Sequence, residues 1–380
     1  MGLRCVAQQQ LIAPTPRSQS RSAEGILISK VNDREICSEN TSRSSQLLAL
    51  VAALALILLT TFSTVAVFSA VGLLAETNSG GVGPTTRVPK LLFGIGPEAD
   101  SARQTELARS SPVRMLTSWY TGPKDLSWMS TWKTREIPQD YAAGYALHLI
   151  VWSGDAEGGL STPQGPTCGR AYPLSSRFLG DMRKLAIVFA GRSAGPPLYV
   201  TLFAEFQTYP CRDNAWAADA ATVNYYRALK AQYLSALATF HRLAPNSRVS
   251  LGWGGWQARW DAPGIGGGRS MFPHFADVMK ASDFQSFQAM DGKSNVTDAL
   301  RMTRVLGRYG PVMLAYYKPN DGSQDTFNSD VTRMLTDTGL REAVRRGLFA
   351  FSFMDDKLLA ADPGVSKFVS TAIARYGAGP

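Results

Sequence analysis

Past residue 90 the chain alternates short apolar runs with longer segments, several of which carry apolar residues at helical spacing. Eight runs read as strands: Leu91–Gly96, Arg114–Trp119, Tyr145–Trp152, Leu198–Phe206, Val249–Trp256, Asp283–Ala289, Val312–Tyr317 and Leu348–Met354. Helical period is clearest over Ala217–Leu243, Asn295–Tyr309 and Thr326–Arg346. In the first of these Tyr226, Leu229, Tyr233, Leu234 and Leu237 share that spacing, and Pro245 marks the stop. Strand–helix alternation implies parallel strands with crossovers, and eight units fit an α/β fold of the (β/α)8 TIM-barrel type, whose usual size is ~250 residues. A doubly wound open sheet is the alternative. Gly94-Ile95-Gly96 runs on into Pro-Glu-Ala-Asp, so the dinucleotide fingerprint fails, and Gly266–Gly268 lie too far past their strand for a phosphate loop.

A different pattern precedes the barrel. No charged residue stands between Ser44 and Ala75, and Leu47 to Ala75 is almost wholly apolar. A spanning helix needs ~20 such residues, so residues 46–75 are read as a transmembrane signal anchor. A cleaved signal peptide is the rival reading. Its apolar region is normally only ~7–15 residues, and a cut after Ala70 sets Phe68 where a small residue is wanted. Arg4, Arg17, Arg21, Lys30, Arg34 and Arg43 precede the span, and only Arg87 and Lys90 follow closely. That bias puts the N-terminus in the cytoplasm and the C-terminal domain outside. The organisation expected is a disordered tail over 1–45, the anchor over 46–75, a Gly/Pro/Thr linker over 76–90 and the barrel over 91–380.

With 45% hydrophobic and 18% charged residues among 380, the chain has a core to bury and is not disordered as a whole. Four Cys and three His leave little for a multi-zinc or multi-histidine centre, so no metal and no cofactor is expected. The net charge of +9 has no basic run interleaved with aromatics, which argues against nucleic acid and for the solvated surface of a basic domain. Cys168 and Cys211, the two outer cysteines, can pair in an oxidising compartment, whereas Cys5 and Cys37 lie inside as thiols. His148, mid-strand among apolar residues, reads as a core histidine; His241 and His274 have no ligand partner at metal spacing. The sequon Asn295-Val296-Thr297 matters only in a host that glycosylates Asn.

Barrel chemistry sits at the C-terminal strand ends. Those ends supply Trp119 and Tyr120; Trp152 and Asp155; Glu205 and Gln207; Trp253, Trp256, Gln257, Arg259 and Asp261; Gln288 and Asp291; Tyr317, Lys318 and Asp321; and Asp355-Asp356. Carboxylates, amides and aromatic faces without His suit carbohydrate: sugar C–H faces stack on Trp and Tyr, and hydroxyls pair with amides and acids. Glycosidic cleavage needs two carboxyl groups and no cofactor. Glu205, walled by Phe203 and Phe206, is the expected acid/base, with Asp291 or Asp355 as its partner; Asp155, Asp321 and Asp356 read as solvated loop carboxylates. Trp119, Tyr120, Trp152, Gln207, Trp253, Trp256, Gln288, Tyr317 and Lys318 are the expected substrate contacts. Lys318 reads as a rim cation rather than a Schiff-base lysine.

PLYVTLFAEF (Pro197–Phe206), with Glu at the end of strand 4, is followed by YYRALKAQYLSALATFHRLAPNSRVSLGWG (Tyr225–Gly254), a long helix ending in LAPN that leads to a Trp-bearing fifth strand. Over 197–260 the chain resembles the retaining (β/α)8 glycoside hydrolases, most closely the mannanase-like family 26 group. The resemblance implies a polysaccharide substrate and gives Glu205 the family's acid/base role. The family's nucleophile is a Glu ending strand 7, where this chain has Tyr316-Tyr317-Lys318-Pro319, and its His before the acid/base is Ala204 here. Two functions follow: a membrane-anchored extracellular glycoside hydrolase, or a silent barrel that binds glycan.

Overall fold

The computed structural model describes residues 90–153, 158–211, 215–261, 270–319, 323–354 and 356–378. The expected tail, membrane helix and all but the last residue of the linker lie outside them, as do Asp155, Asp321, Asp355 and Gly266–Gly268. Among the described residues no helix is long and apolar enough to cross a membrane.

Each of the eight apolar runs holds a strand: β1 Leu92–Ile95, β2 Met115–Tyr120, β3 Ala146–Val151, β4 Leu198–Leu202, β5 Ser247–Trp253, β6 Gln285–Ala289, β7 Val312–Tyr317 and β8 Leu348–Phe353. All pair in parallel with their sequence neighbours, and β1 pairs with β8, so the sheet closes into a barrel. Outside it lie α1 Glu136–Ala142, α2 Ser176–Phe189, α3 Ala220–Leu243, α4 Ala276–Ala281, α5 Asn295–Leu306, α6 Gln324–Met334, α7 Asp337–Arg345 and α8 Pro363–Tyr376. Side-chain oxygens of Ser175, Asp219, Ser323 and Asp362 cap α2, α3, α6 and α8 by accepting N–H groups of the first turn. The single helix expected over Thr326–Arg346 is two: Thr336 turns extended, and its hydroxyl caps α7 at Gly339.

Period-two alternation sorts the strand residues into two shells. Leu147, Leu149, Val151, Leu198, Val200 and Leu202 face the helices, whereas Met115, Ala146, Ile150, Met313 and Ala350 fill the barrel. The interior is layered. At the N-terminal end Tyr199, Phe284 and Phe349 form an aromatic plug, with ring centroids 5.4, 5.5 and 6.0 Å apart. Above it runs a buried polar chain: Ser352 Oγ lies 2.7 Å from Thr117 Oγ1, which lies 3.4 Å from His148 Nδ1, and His148 Nε2 lies 2.9 Å from Thr201 Oγ1. His148 is thus a core residue, but a polar core holds it rather than an apolar one. The aromatic mouth described below closes the top.

Burial of its ring holds His148 down to about 3, against an ordinary 6.5. An unfolded chain protonates this ring below pH 6.5 and the folded one does not, so its contribution is full above pH 6.5 and is lost as pH falls towards 3. Melting temperature should therefore begin to fall below pH 6.5, before ordinary carboxylates titrate, and His148→Gln should flatten that part of the curve. An unchanged curve in the variant contradicts the assignment.

Candidate active site

The site is built on a kink. β4 ends at Leu202, four residues short of the run read from the sequence, because Phe203 and Glu205 adopt left-handed backbone with φ of 55° and 59°. Such a conformation costs about 1–3 kcal/mol in a residue with a side chain. At Phe203 it turns the ring outward to stack on Phe178, centroids 4.9 Å apart, and Phe206 also points out, against Trp253 and Phe275. The expected wall of Phe203 and Phe206 is corrected accordingly: both rings belong to the helix-facing shell. Ala204 points inward, and Glu205 reaches the barrel mouth. The kink is tied by Ala204 N–H to Val151 O at 2.9 Å and by Glu205 N–H to Gly252 O at 3.1 Å. Gly252 permits that approach, since a Cβ there would stand 2.7 Å from Ala204 Cα.

Tyr316 donates its hydroxyl proton to Glu205 Oε1 at 2.9 Å. Its ring lies edge-on to Trp119 at 4.6 Å. Trp152, Met290 and Met354 join the same inner cluster. Arg170, from the β3–α2 connection, lays its guanidinium 4.9 Å from the Trp152 ring centre and 5.4 Å from that of Tyr209. Tyr209 in turn donates to Ala204 O at 3.0 Å and accepts from Ser153 N–H at 3.2 Å. Burial pushes the Glu205 carboxyl above its ordinary value, against the Tyr316 hydrogen bond and the Arg170 charge, which pull it down. The outcome is an acid that keeps its proton to higher pH than a surface Glu, held in one orientation beside aromatic faces. That arrangement suits proton donation to a leaving oxygen.

Of the expected contacts, Trp119, Trp152 and Gln288 face inward and Trp256 is half-buried just past β5, its ring against Gly254. Trp119 Nε1, Trp256 Nε1 and Gln288 Oε1 are buried without a partner among the described residues. Lys318 is half-buried on the rim, its N–H donating to Ala289 O at 3.1 Å.

Four others are corrected. Tyr120 faces α2, where its hydroxyl meets Tyr172 and donates to Asp181 at 3.0 Å. Gln207 is fully buried, accepting from Gly254 N–H at 3.0 Å and donating to Gln257 at 3.3 Å. Trp253 is enclosed by Phe206, Phe272 and Phe275 on the outer face. Tyr317 donates to Asp330 at 2.7 Å, also outside. Its cause is a bulge: the β6–β7 register passes from Phe287↔Leu314 to Gln288↔Tyr316, leaving Ala315 extra. Strict alternation from Met313 would bring Tyr317 inward, and the extra residue brings Tyr316 instead.

Asp291 stands on an exposed loop, 3.4 Å from Arg259, which also lies 3.0 Å from the buried Asp298. Partial burial raises its carboxyl, but Ser294, the Lys293 N–H and Arg259 together outweigh that and hold it below the ordinary value. Among the described residues no second carboxylate touches Glu205. Cys168 and Cys211 are free thiols rather than the expected disulfide. They are side by side, Cys211 N–H donating to Cys168 Sγ at 3.1 Å and Gly169 N–H to Cys211 Sγ. Among the described residues no cluster of three or more His, Cys, Asp or Glu could hold a metal.

No protein-family model matches the chain, and no curated protein matches it. Solved structures similar to it include the GH53 catalytic domain of Ignisphaera aggregans, at 11% identity over 71% of this chain and 86% of that one, with a TM-score of 0.44. The β-1,4-mannanase of the sea hare Aplysia kurodai is similar at 10% identity over 77% and 95%, TM-score 0.41. A third is the PgaB (BpsB) glycoside hydrolase domain of Bordetella bronchiseptica, at 10% over 77% and 100%, TM-score 0.43.

Because Glu205 binds its proton more readily folded than unfolded, its contribution to stability is full below pH 4.5 and is lost as pH rises through the folded value. Glu205→Gln keeps an acceptor for Tyr316 and buries no charge. It should melt higher than wild type at pH 7, with the gap closing below pH 4.5. A variant less stable at pH 7 contradicts this account of the site.

Proposed function

We propose that this chain is a single-pass, membrane-anchored glycoside hydrolase that acts outside the cell on a polysaccharide, with Glu205 as acid/base. The observation that carries the proposal is the Glu205 carboxyl itself: half-buried at the C-terminal mouth of the barrel, pushed up by desolvation, and oriented by the Tyr316 hydroxyl. Trp119, Trp152 and Trp256 supply ring faces for sugars around it. Asp355, which follows β8, is the better partner carboxylate, since Asp291 is engaged with Arg259. Glu205 would protonate the leaving glycosidic oxygen while the partner attacks the anomeric carbon or activates water.

A second reading, a glycan-binding barrel without turnover, is favoured by one feature. Where the resembled family carries a Glu at the end of β7, this chain carries Tyr316 and Lys318. Reducing-end release decides between them, with the full chain in detergent acting on cell-wall and plant polysaccharides. Hydrolysis that drops at least ~100-fold in Glu205→Gln, the usual scale for losing general acid catalysis, supports the enzyme. Binding to a polysaccharide without release by wild type supports the module.

The anchor rests on the apolar span over 46–75, and the outward placement on the Lys/Arg bias before it. Alkaline extraction should leave the chain in the membrane pellet. Release of the chain into the supernatant contradicts the anchor.

A further inference from the structure

Among the described residues Arg170 has no salt-bridge partner: its guanidinium lies over the rings of Trp152 and Tyr209, and its Nη1 is buried without a hydrogen-bond acceptor. A guanidinium is normally placed where a carboxylate or phosphate receives its fork of donors. Glu205, close enough to feel the charge, instead gives its Oε1 to Tyr316. The side chain is only partly covered, and the Trp152 ring on which it rests belongs to the inner cluster at the mouth. Its backbone is held firmly. Two residues earlier, Cys168 accepts the N–H of Cys211, and a Cβ on Gly169 would stand 2.2 Å from Tyr209 O. The β3–α2 and β4–α3 connections therefore hold Arg170 together.

We propose that Arg170 is a substrate-binding residue that receives the anionic substituent of an acidic sugar, a carboxylate or a sulfate, seated on Trp152 beside Glu205. This rests on the reading of the mouth as a carbohydrate site and narrows it to anionic glycans. It also gives the bound ligand a role in the chemistry. An anion on Arg170 cancels the positive charge that draws the Glu205 proton away, so the correct substrate helps keep the acid protonated.

The test measures binding and cleavage separately, using full-length chain and matched oligosaccharides of β-1,4-glucan and β-1,4-mannan. Each is offered neutral, carboxylated at C6 and sulfated at C6. The expected result is an affinity at least ~10-fold higher for an anionic member than for its neutral counterpart, the scale of one charge-assisted hydrogen-bonded pair. That preference should disappear in Arg170→Met and in Arg170→Gln and persist in Glu205→Gln. Whichever anion shows it identifies the substituent. Two neutral replacements are used so that one unfolded variant does not end the test, folding being checked by melting temperature. Equal binding of neutral and anionic members by wild type, or a preference that survives in a folded Arg170 variant, overturns the assignment. The two readings fail separately. Cleavage without an anionic preference leaves the hydrolase and removes the subsite, and an Arg170-dependent preference without cleavage does the reverse.

Discussion

The site depends on a backbone constraint, the left-handed turn at Phe203 and Glu205. A regular strand would carry Thr201, Phe203 and Glu205 to the same face, and Phe203 would fill the mouth. The turn sends its ring to Phe178 instead and brings Glu205 to Tyr316. Two residues with side chains held at positive φ are unfavourable on their own, and the surrounding structure has to over-determine them. It does so through backbone bonds to Val151 and Gly252, through the closeness that Gly252 allows, and through Tyr209 bonded to Ala204 O.

Support comes from below and from outside. The aromatic plug of Tyr199, Phe284 and Phe349 and the polar chain from Ser352 to Thr201 fill the barrel, so the mouth rests on a packed interior rather than a channel. Tyr120, Trp253 and Tyr317 serve the same end from the outer shell, each packed against the helix layer. They stand at strand ends beside the inward residues Trp119, Gly252 and Tyr316, and one step of alternation separates a sugar platform from a buttress.

That step explains how much could be read in advance. The eight strands were legible because each is a short apolar run bounded by polar or helical sequence, and Glu205 because a carboxylate ending such a run is unusual. The inward placement of Trp119 and Trp152 followed from the same positional reasoning. Tyr316 was not, because the Ala315 bulge that turns it inward leaves no mark in the run VMLAYY. The turn at Phe203 was equally silent, since no glycine announces it. Arg170 lies in a connection without periodicity, and its one signal is the nearby Cys168, whose neighbour Cys211 follows directly on the Glu205 segment.

The electrostatic balance at Glu205 sets burial against Tyr316 and Arg170, and burial prevails. An infrared titration of the full chain, wild type minus Glu205→Gln, reads that balance directly. The account predicts a protonated-carboxyl C=O band, absent from the variant, that persists above pH 4.5, the ordinary value for Glu. A band already lost at or below pH 4.5 would show a surface-like carboxylate and contradict the assignment of Glu205 as a desolvated acid at the mouth.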